Sequence, residues 1–166
     1  AGKTGAGCCE DLREKPDFIV VTFGKACGSF GAFLGCHDSI RSILVNQCRS
    51  FIYSTALPLP VMAFTIAAIT SLPSLGDRRH QVLNRADYFR TQCQKKGLVT
   101  GGDSAIVPLI LGSNDAVMSL KSRLADLRIA VSAIRHPTVA KGQERLRLTF
   151  HSGLTQEDCD YVLDQL

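Results

Sequence analysis

The chain has 166 residues, of which 45% are hydrophobic and 20% charged, and its formal net charge is +4. That length supports one ordinary domain with a core, and the composition excludes an intrinsically disordered protein. Acids and bases are interspersed, with no dense block of Lys and Arg, so nothing in the charge pattern marks a nucleic-acid partner.

Ala1-Gly2-Lys3-Thr4-Gly5 looks like the end of a phosphate-binding loop but lacks the leading strand and the earlier glycine that such a loop needs. Ala1–Glu10 is Gly-rich without an apolar run, unlike a secretion signal. Phe18–Thr22 (FIVVT) is a short continuous apolar run, which predicts a strand of a parallel sheet covered on both faces. A glycine-bounded loop, Gly24-Lys25-Ala26-Cys27-Gly28, follows, and Gly31–Cys36 predicts a second buried strand. Asp38 is the expected cap of a helix over Ser39–Arg49.

Ser50 to Gly76 carries no charge, and Pro58–Leu72 is largely apolar. A bilayer-spanning helix needs ~20 apolar residues. Here Pro58 and Pro60 interrupt the stretch, and Ser54, Thr55, Thr65, Thr70 and Ser71 dilute it. The expectation is a helix opened by Pro58 or Pro60, lying inside the molecule or between subunits, with no membrane partner.

Asp77–Lys96 reads as an amphipathic helix with Val82, Ala86, Phe89 and Cys93 on one face, stopped by Gly97. Beyond it, Ala105–Leu111 predicts a strand whose Pro108 implies an edge or a bulge. A helix capped near Ser113 or Asn114 comes next, then strands at Ile129–Ile134 and Arg145–Phe150. A final helix opens at Thr155. This β-α-β-β-α order predicts a small α+β unit with its sheet covered on one face. The two strands ahead of it are too few for a sheet covered on both faces, so the first part reads as a remnant of a larger α/β domain.

The seven cysteines, at 8, 9, 27, 36, 48, 93 and 159, are odd in number and include no Cys-x-x-Cys pair. Free thiols in a reducing cytoplasm are expected, without a metal site. Lys25 is the strongest chemical candidate. Its glycine-flanked loop after a buried-type strand permits close approach to a ligand, and burial would favour the neutral amine that attacks an aldehyde. Taken alone, the loop reads first as that of an ordinary solvated turn lysine, because such loops are common.

Three segments in order change that balance: VVTFGKACGSFGAF, CRSFIYSTALP, and AIRHPTVAKGQERLRLTF followed by HSGLT. Together they resemble the α-oxoamine synthases, a branch of the fold-type I pyridoxal-phosphate enzymes, over essentially all 166 residues. Within that family, Thr22-Phe23-Gly24-Lys25, Ile52-Tyr53-Ser54-Thr55 and Ala133-Ile134-Arg135-His136-Pro137-Thr138-Val139 are most similar to the alanine-using, biotin-forming branch. Glycine-using members usually carry Thr-Leu-Gly-Lys. His136 stands where the family often has proline.

The resemblance implies an α/β fold: a partial fold-type I transferase with the end of the large-domain mixed sheet and a linking helix in 1–75, and the small C-terminal α+β domain in 76–166. It implies that Lys25 holds pyridoxal 5'-phosphate and then serves as base and acid. Thr22 would contact the cofactor, and Ser54 and Thr55, with Thr55 favoured, would reach the phosphate of a neighbouring subunit in a homodimer. Thr138 would contact substrate, and Arg147 would grip the amino acid carboxylate. Arg145 shares its strand face by the two-residue period, so both arginines bear on one site or one of them is structural. The implied reaction is decarboxylative condensation of L-alanine with a pimeloyl thioester, carried by coenzyme A or an acyl carrier protein. Gly2-Lys3-Thr4-Gly5-Ala6-Gly7 resembles the loop after the family's aspartate and histidine motif, so those groups are expected upstream and these 166 residues alone are expected to be inactive. A glycine-using relative, a non-catalytic interaction domain, or a membrane-associated protein using Ser50–Gly76 are the competing readings.

Overall fold

The computed structural model of the protein describes Gly5, Gly7 and residues 9–166. The phosphate-loop reading of residues 1–5, the family loop at 2–7 and Cys8 therefore lie outside the described residues, save for Gly5 and Gly7 themselves. The chain divides into two compact units, Ala1–Gly76 and Asp77–Leu166.

In the first unit, β1 (Phe18–Thr22) pairs with β2 (Ala32–Cys36) in an antiparallel hairpin, with Phe18 opposite Cys36 and Thr22 opposite Ala32. The apolar runs predict parallel strands covered on both faces; the strands form, but the pairing is antiparallel. The reason lies in the connection: a parallel return needs a crossover of a dozen or more residues, and residues 23–31 are too few. Nor does the unit cover the ribbon, since Val20 is 68% exposed and Phe18, Phe33 and Leu34 also face solvent.

Helix α1 (Asp38–Gln47) is capped by His37 and not by Asp38: His37 Nδ1 accepts from the Ser39 N–H at 3.3 Å. Asp38 instead occupies the first turn, where its carboxylate suits the positive end of the helix and pairs with Arg41 at 3.5 Å. One turn of helix, α2 (Arg49–Ile52), follows. Helix α3 (Leu59–Ser71) starts after Pro58, with Pro60 in its first turn, where a missing N–H breaks no helical bond. Its sequence is apolar nearly all round, yet Thr65 is its only buried residue, and Phe64 and Ile66 are 55% and 65% exposed. The unit's own residues thus do not place α3 inside. Among the described residues, the helical stretch 59–95 is long and apolar enough to cross a bilayer by length and composition.

The second unit holds the core. Helix α4 (Gly76–Lys95) buries Ala86, Phe89, Arg90 and Cys93. It ends in a Schellman arrangement: Gly97, at φ +77, donates to Gln94 C=O at 2.9 Å and Leu98 N–H donates to Cys93 C=O at 3.0 Å. The sheet order is β3 (Ile106–Ile110), β5 (Arg145–Thr149), β4 (Ser132–Ile134), all antiparallel. Pro108 sits on the edge strand β3. Central β5 alternates, with Leu146 and Leu148 buried against Phe89, Val107 and Leu124. Phe150 meets Phe89 edge to face at 5.3 Å. Helix α5 (Asn114–Asp126) is capped by Ser113, which accepts from Ala116 N–H at 3.2 Å. Helix α6 (Gln156–Asp164) begins with a reciprocal capping box between Thr155 and Asp158. The Thr155 N–H and hydroxyl, both donating to Asp158, hold that carboxyl below the usual carboxylate range.

Candidate functional site

The hairpin carries Lys25 at its closed end. Beyond the strands, Phe23 N–H donates to Gly31 C=O at 2.9 Å, extending the ladder by one rung. Ser29 N–H donates to Phe23 C=O, and Gly28 N–H donates to Lys25 C=O, each at 2.9 Å, so the second bond closes a four-residue turn that starts at the lysine. Gly28 adopts φ +61, a conformation side-chain-bearing residues rarely take. Phe23, 7% exposed, stacks on Phe33 with ring centroids 5.9 Å apart and pins the base of the loop. Gly31 also takes a positive φ, +94, and a Cβ there would lie 2.7 Å from the Leu57 Cδ1, so that side chain would have to shift.

Two hydroxyls complete the anchorage. Ser29 Oγ and Thr65 Oγ1 lie 2.5 Å apart, and Thr65 Oγ1 donates to Val61 C=O at 2.8 Å. A hydroxyl has one proton; Thr65 spends its own on Val61, so Ser29 is the donor between the pair. Neither is among the site residues expected from the sequence, where Thr65 counts only as a polar interruption of the apolar stretch. The available signal was Thr65, a hydroxyl alone in the apolar run Val61–Ile69.

Burial of the Lys25 amine is the expectation that the structure corrects. Lys25 is exposed, as are Thr22, Gly24 and Ala26 beside it. A two-stranded ribbon has no second layer of its own to cover its end. Thr22 closes β1 opposite Ala32, three residues before the lysine on the same ribbon. Ser54 and Thr55 lie exposed in the open segment after α2, and the Ser54 hydroxyl donates to Ser50 C=O.

Arg147 and Thr138 belong to the second unit. Arg145 and Arg147 share the face of β5 opposite Leu146 and Leu148. The structure separates them. Arg145 turns back on its own chain, its Nε donating to Gln143 C=O at 2.7 Å and a terminal nitrogen reaching Gln143 Oε1 at 3.3 Å. Arg147 is exposed, and one terminal nitrogen donates to Ser132 Oγ on the paired strand β4 at 3.4 Å. Its guanidinium therefore keeps most of its donor fork for a ligand. Thr138 is exposed in the turn after β4, next to the cis His136–Pro137 bond. Among the described residues, no three His, Cys, Asp or Glu side chains gather as a metal site would require.

The donor set suits pyridoxal 5'-phosphate. A primary amine on a hydrogen-bonded turn can capture an aldehyde, and neutral hydroxyls such as those of Thr22, Ser54 and Thr55 can donate to a phosphate ester. The Arg147 fork matches a carboxylate.

Comparison with known proteins agrees with this chemistry. The profile of the family "aminotransferase class I and II" matches residues 2–166. A putative 8-amino-7-oxononanoate synthase of Geobacillus kaustophilus is 38% identical over 155 residues, covering 92% of this chain and 40% of its own. The 8-amino-7-oxononanoate synthase of Erwinia tasmaniensis is 38% identical over 167 residues, covering 99% and 43%. The chain thus spans less than half the length of these relatives. The crystal structure of 8-amino-7-oxononanoate synthase from Francisella tularensis superimposes with a TM-score of 0.88 at 28% identity, over 99% of this chain and 50% of that one. A serine palmitoyltransferase variant from S. paucimobilis with bound PLP–myriocin aldimine gives 0.90 at 25% identity, over 99% and 42%. The mixed α/β arrangement is part of the fold-type I pyridoxal-phosphate architecture. With a lysine-bearing hairpin, an arginine-bearing α+β unit and a profile match along almost its whole length, this chain belongs to the aminotransferase class I and II family.

Proposed function

We propose that this chain is the cofactor-lysine and carboxylate-binding portion of an 8-amino-7-oxononanoate synthase, which condenses L-alanine with a pimeloyl thioester, with loss of carbon dioxide, in biotin biosynthesis. The observation that carries the reading is the Lys25 turn: its backbone is held by three cross-loop hydrogen bonds while its amine stays free to react. Preorganisation of the backbone with an open nucleophile is what covalent capture of an aldehyde needs.

Pyridoxal 5'-phosphate, when bound, supplies an electron sink for the pair left behind as the α-proton departs. The chain's residues do the rest. Lys25 Nζ holds the cofactor, then accepts the α-proton and returns it. Thr22 bonds the cofactor from the same ribbon, and the hydroxyls of Ser54 and Thr55 donate to the phosphate held by the neighbouring subunit of a homodimer. Arg147 pairs with the alanine carboxylate, and Thr138 touches the substrate from the turn after β4. The acyl group arrives on coenzyme A or an acyl carrier protein. Cytoplasmic residence fits the free thiols Cys9, Cys27, Cys36, Cys48, Cys93 and Cys159.

Among the described residues Lys25 and its neighbours Gly24 and Ala26 are exposed, so residues 1–166 by themselves are expected to turn over neither substrate. Borohydride reduction in the presence of pyridoxal 5'-phosphate, followed by peptide mapping, tests the assignment on the complete gene product. A pyridoxyl group on Lys25, absent from Lys25→Ala, is the expected result; modification mapping to other lysines alone would sink it. The likeness to serine palmitoyltransferase keeps a second amino acid in view. Parallel assays with alanine, glycine and serine decide, and alanine is expected to react fastest.

A further inference from the structure

We propose that Ser29 and Thr65 are positioning residues for Lys25: a hydroxyl pair that clamps the lysine loop to helix α3. The inference rests on reading Lys25 as the cofactor-bearing amine. Thr65 is out of place on general grounds. It is the one buried residue of α3 and the one hydroxyl within the apolar run Val61–Ile69, and a β-branched polar side chain adds nothing there that valine would not supply with less desolvation. Its proton goes to Val61 C=O, leaving its oxygen as an acceptor, and the Ser29 hydroxyl donates to it at 2.5 Å. Ser29 in turn is tied through its N–H to Phe23 C=O, so one residue joins the helix to both limbs of the loop. Lys25 lies between those limbs, two residues past Phe23 and four before Ser29. Loss of the clamp frees the turn to shift against α3, and a displacement of about 1 Å at a reacting amine can cost up to a hundredfold in rate.

The test uses the complete gene product with pyridoxal 5'-phosphate, L-alanine and pimeloyl-CoA. Thr65→Val removes the hydroxyl at nearly constant volume, Ser29→Ala removes the other partner, and Thr65→Ser keeps the hydroxyl. Ser71→Ala, which deletes a comparable back-bond to Ala68 C=O on the same helix, is the control. Ser29→Ala and Thr65→Val are expected to retain borohydride capture at Lys25 but to lose about tenfold in kcat, with KM for alanine nearly unchanged and an altered visible circular dichroism of the bound cofactor. Thr65→Ser should restore wild-type values, and the double variant should be no worse than either single one. Wild-type kcat and dichroism in Ser29→Ala would overturn the proposal even if Thr65→Val failed to fold. So would Thr65→Ser as impaired as Thr65→Val, or losses that multiply in the double variant. Absence of any adduct at Lys25 in the unmutated protein is a separate failure, that of the cofactor reading itself.

Discussion

Arg145 and Arg147 are two residues apart on one strand, yet their guanidinium groups make different contacts. Gln143 occupies the Arg145 fork through its carbonyl and its side chain, whereas Arg147 makes one long contact to Ser132. Arg147→Ala is therefore expected to raise KM for alanine at least about tenfold, the loss of a bidentate charged pair, while Arg145→Ala changes it by less than about twofold. Steady-state kinetics that ranked the two in reverse would reassign the carboxylate site. Cys93 is the residue-scale case in unit two's core: burial pushes its thiol up to about 11. The fold binds this proton more tightly than the unfolded chain does, so the associated stability is complete below the thiol's ordinary range and is lost as pH rises toward 11. Alkylation at pH 8 should accordingly label Cys27, Cys36 and Cys48 well before Cys93, and rapid labelling of Cys93 in the folded protein would show an open core.

At the scale of elements, the capping residues reveal how local chemistry ends and begins helices. Helix α5 closes with the same Schellman bonds as α4, Arg128 N–H to Ala125 C=O at 2.9 Å and Ile129 N–H to Leu124 C=O at 2.8 Å. Where α4 has Gly97, however, α5 has Arg128 at φ +60. A left-handed conformation costs a side-chain-bearing residue roughly 1–2 kcal/mol, partly offset in a glycine variant by the greater freedom of its unfolded chain. Arg128→Gly should stabilise the second unit by about 1 kcal/mol, read as a higher urea midpoint. A lower midpoint would mean the arginine side chain contributes more than its backbone strain costs. The lysine hairpin shows the complementary case, in which Gly28 and Gly31 stand where φ or contact with Leu57 demands them.

For the molecule as a whole, the two units are unequal. The second has a closed core around Phe89, Leu124 and Leu146, all essentially inaccessible. The first leaves the large apolar side chains of Phe18, Val20, Phe64 and Ile66 in water, and exposed apolar surface of this kind favours association. Residues 1–166 produced alone are expected to self-associate and to bind an apolar dye. Sedimentation as a single monomeric species without dye fluorescence would contradict that.

Helix and strand positions were readable in the residues because periodicity, proline and glycine act locally: Phe18–Thr22, the helix after Pro58 and the Gly97 stop all occur where those signals put them. The motif around Lys25 was equally legible, since a short loop between strands brings its own geometry. What the residues by themselves did not determine was direction and environment. Antiparallel pairing, the His37 cap, the open side of Lys25 and the different partners of Arg145 and Arg147 depend on which groups meet through space. The Ser29–Thr65 bond belongs with them, joining positions 36 residues apart. An apolar run states that a surface must be covered, but only the tertiary arrangement decides what covers it, because burial is a property of neighbours and not of sequence.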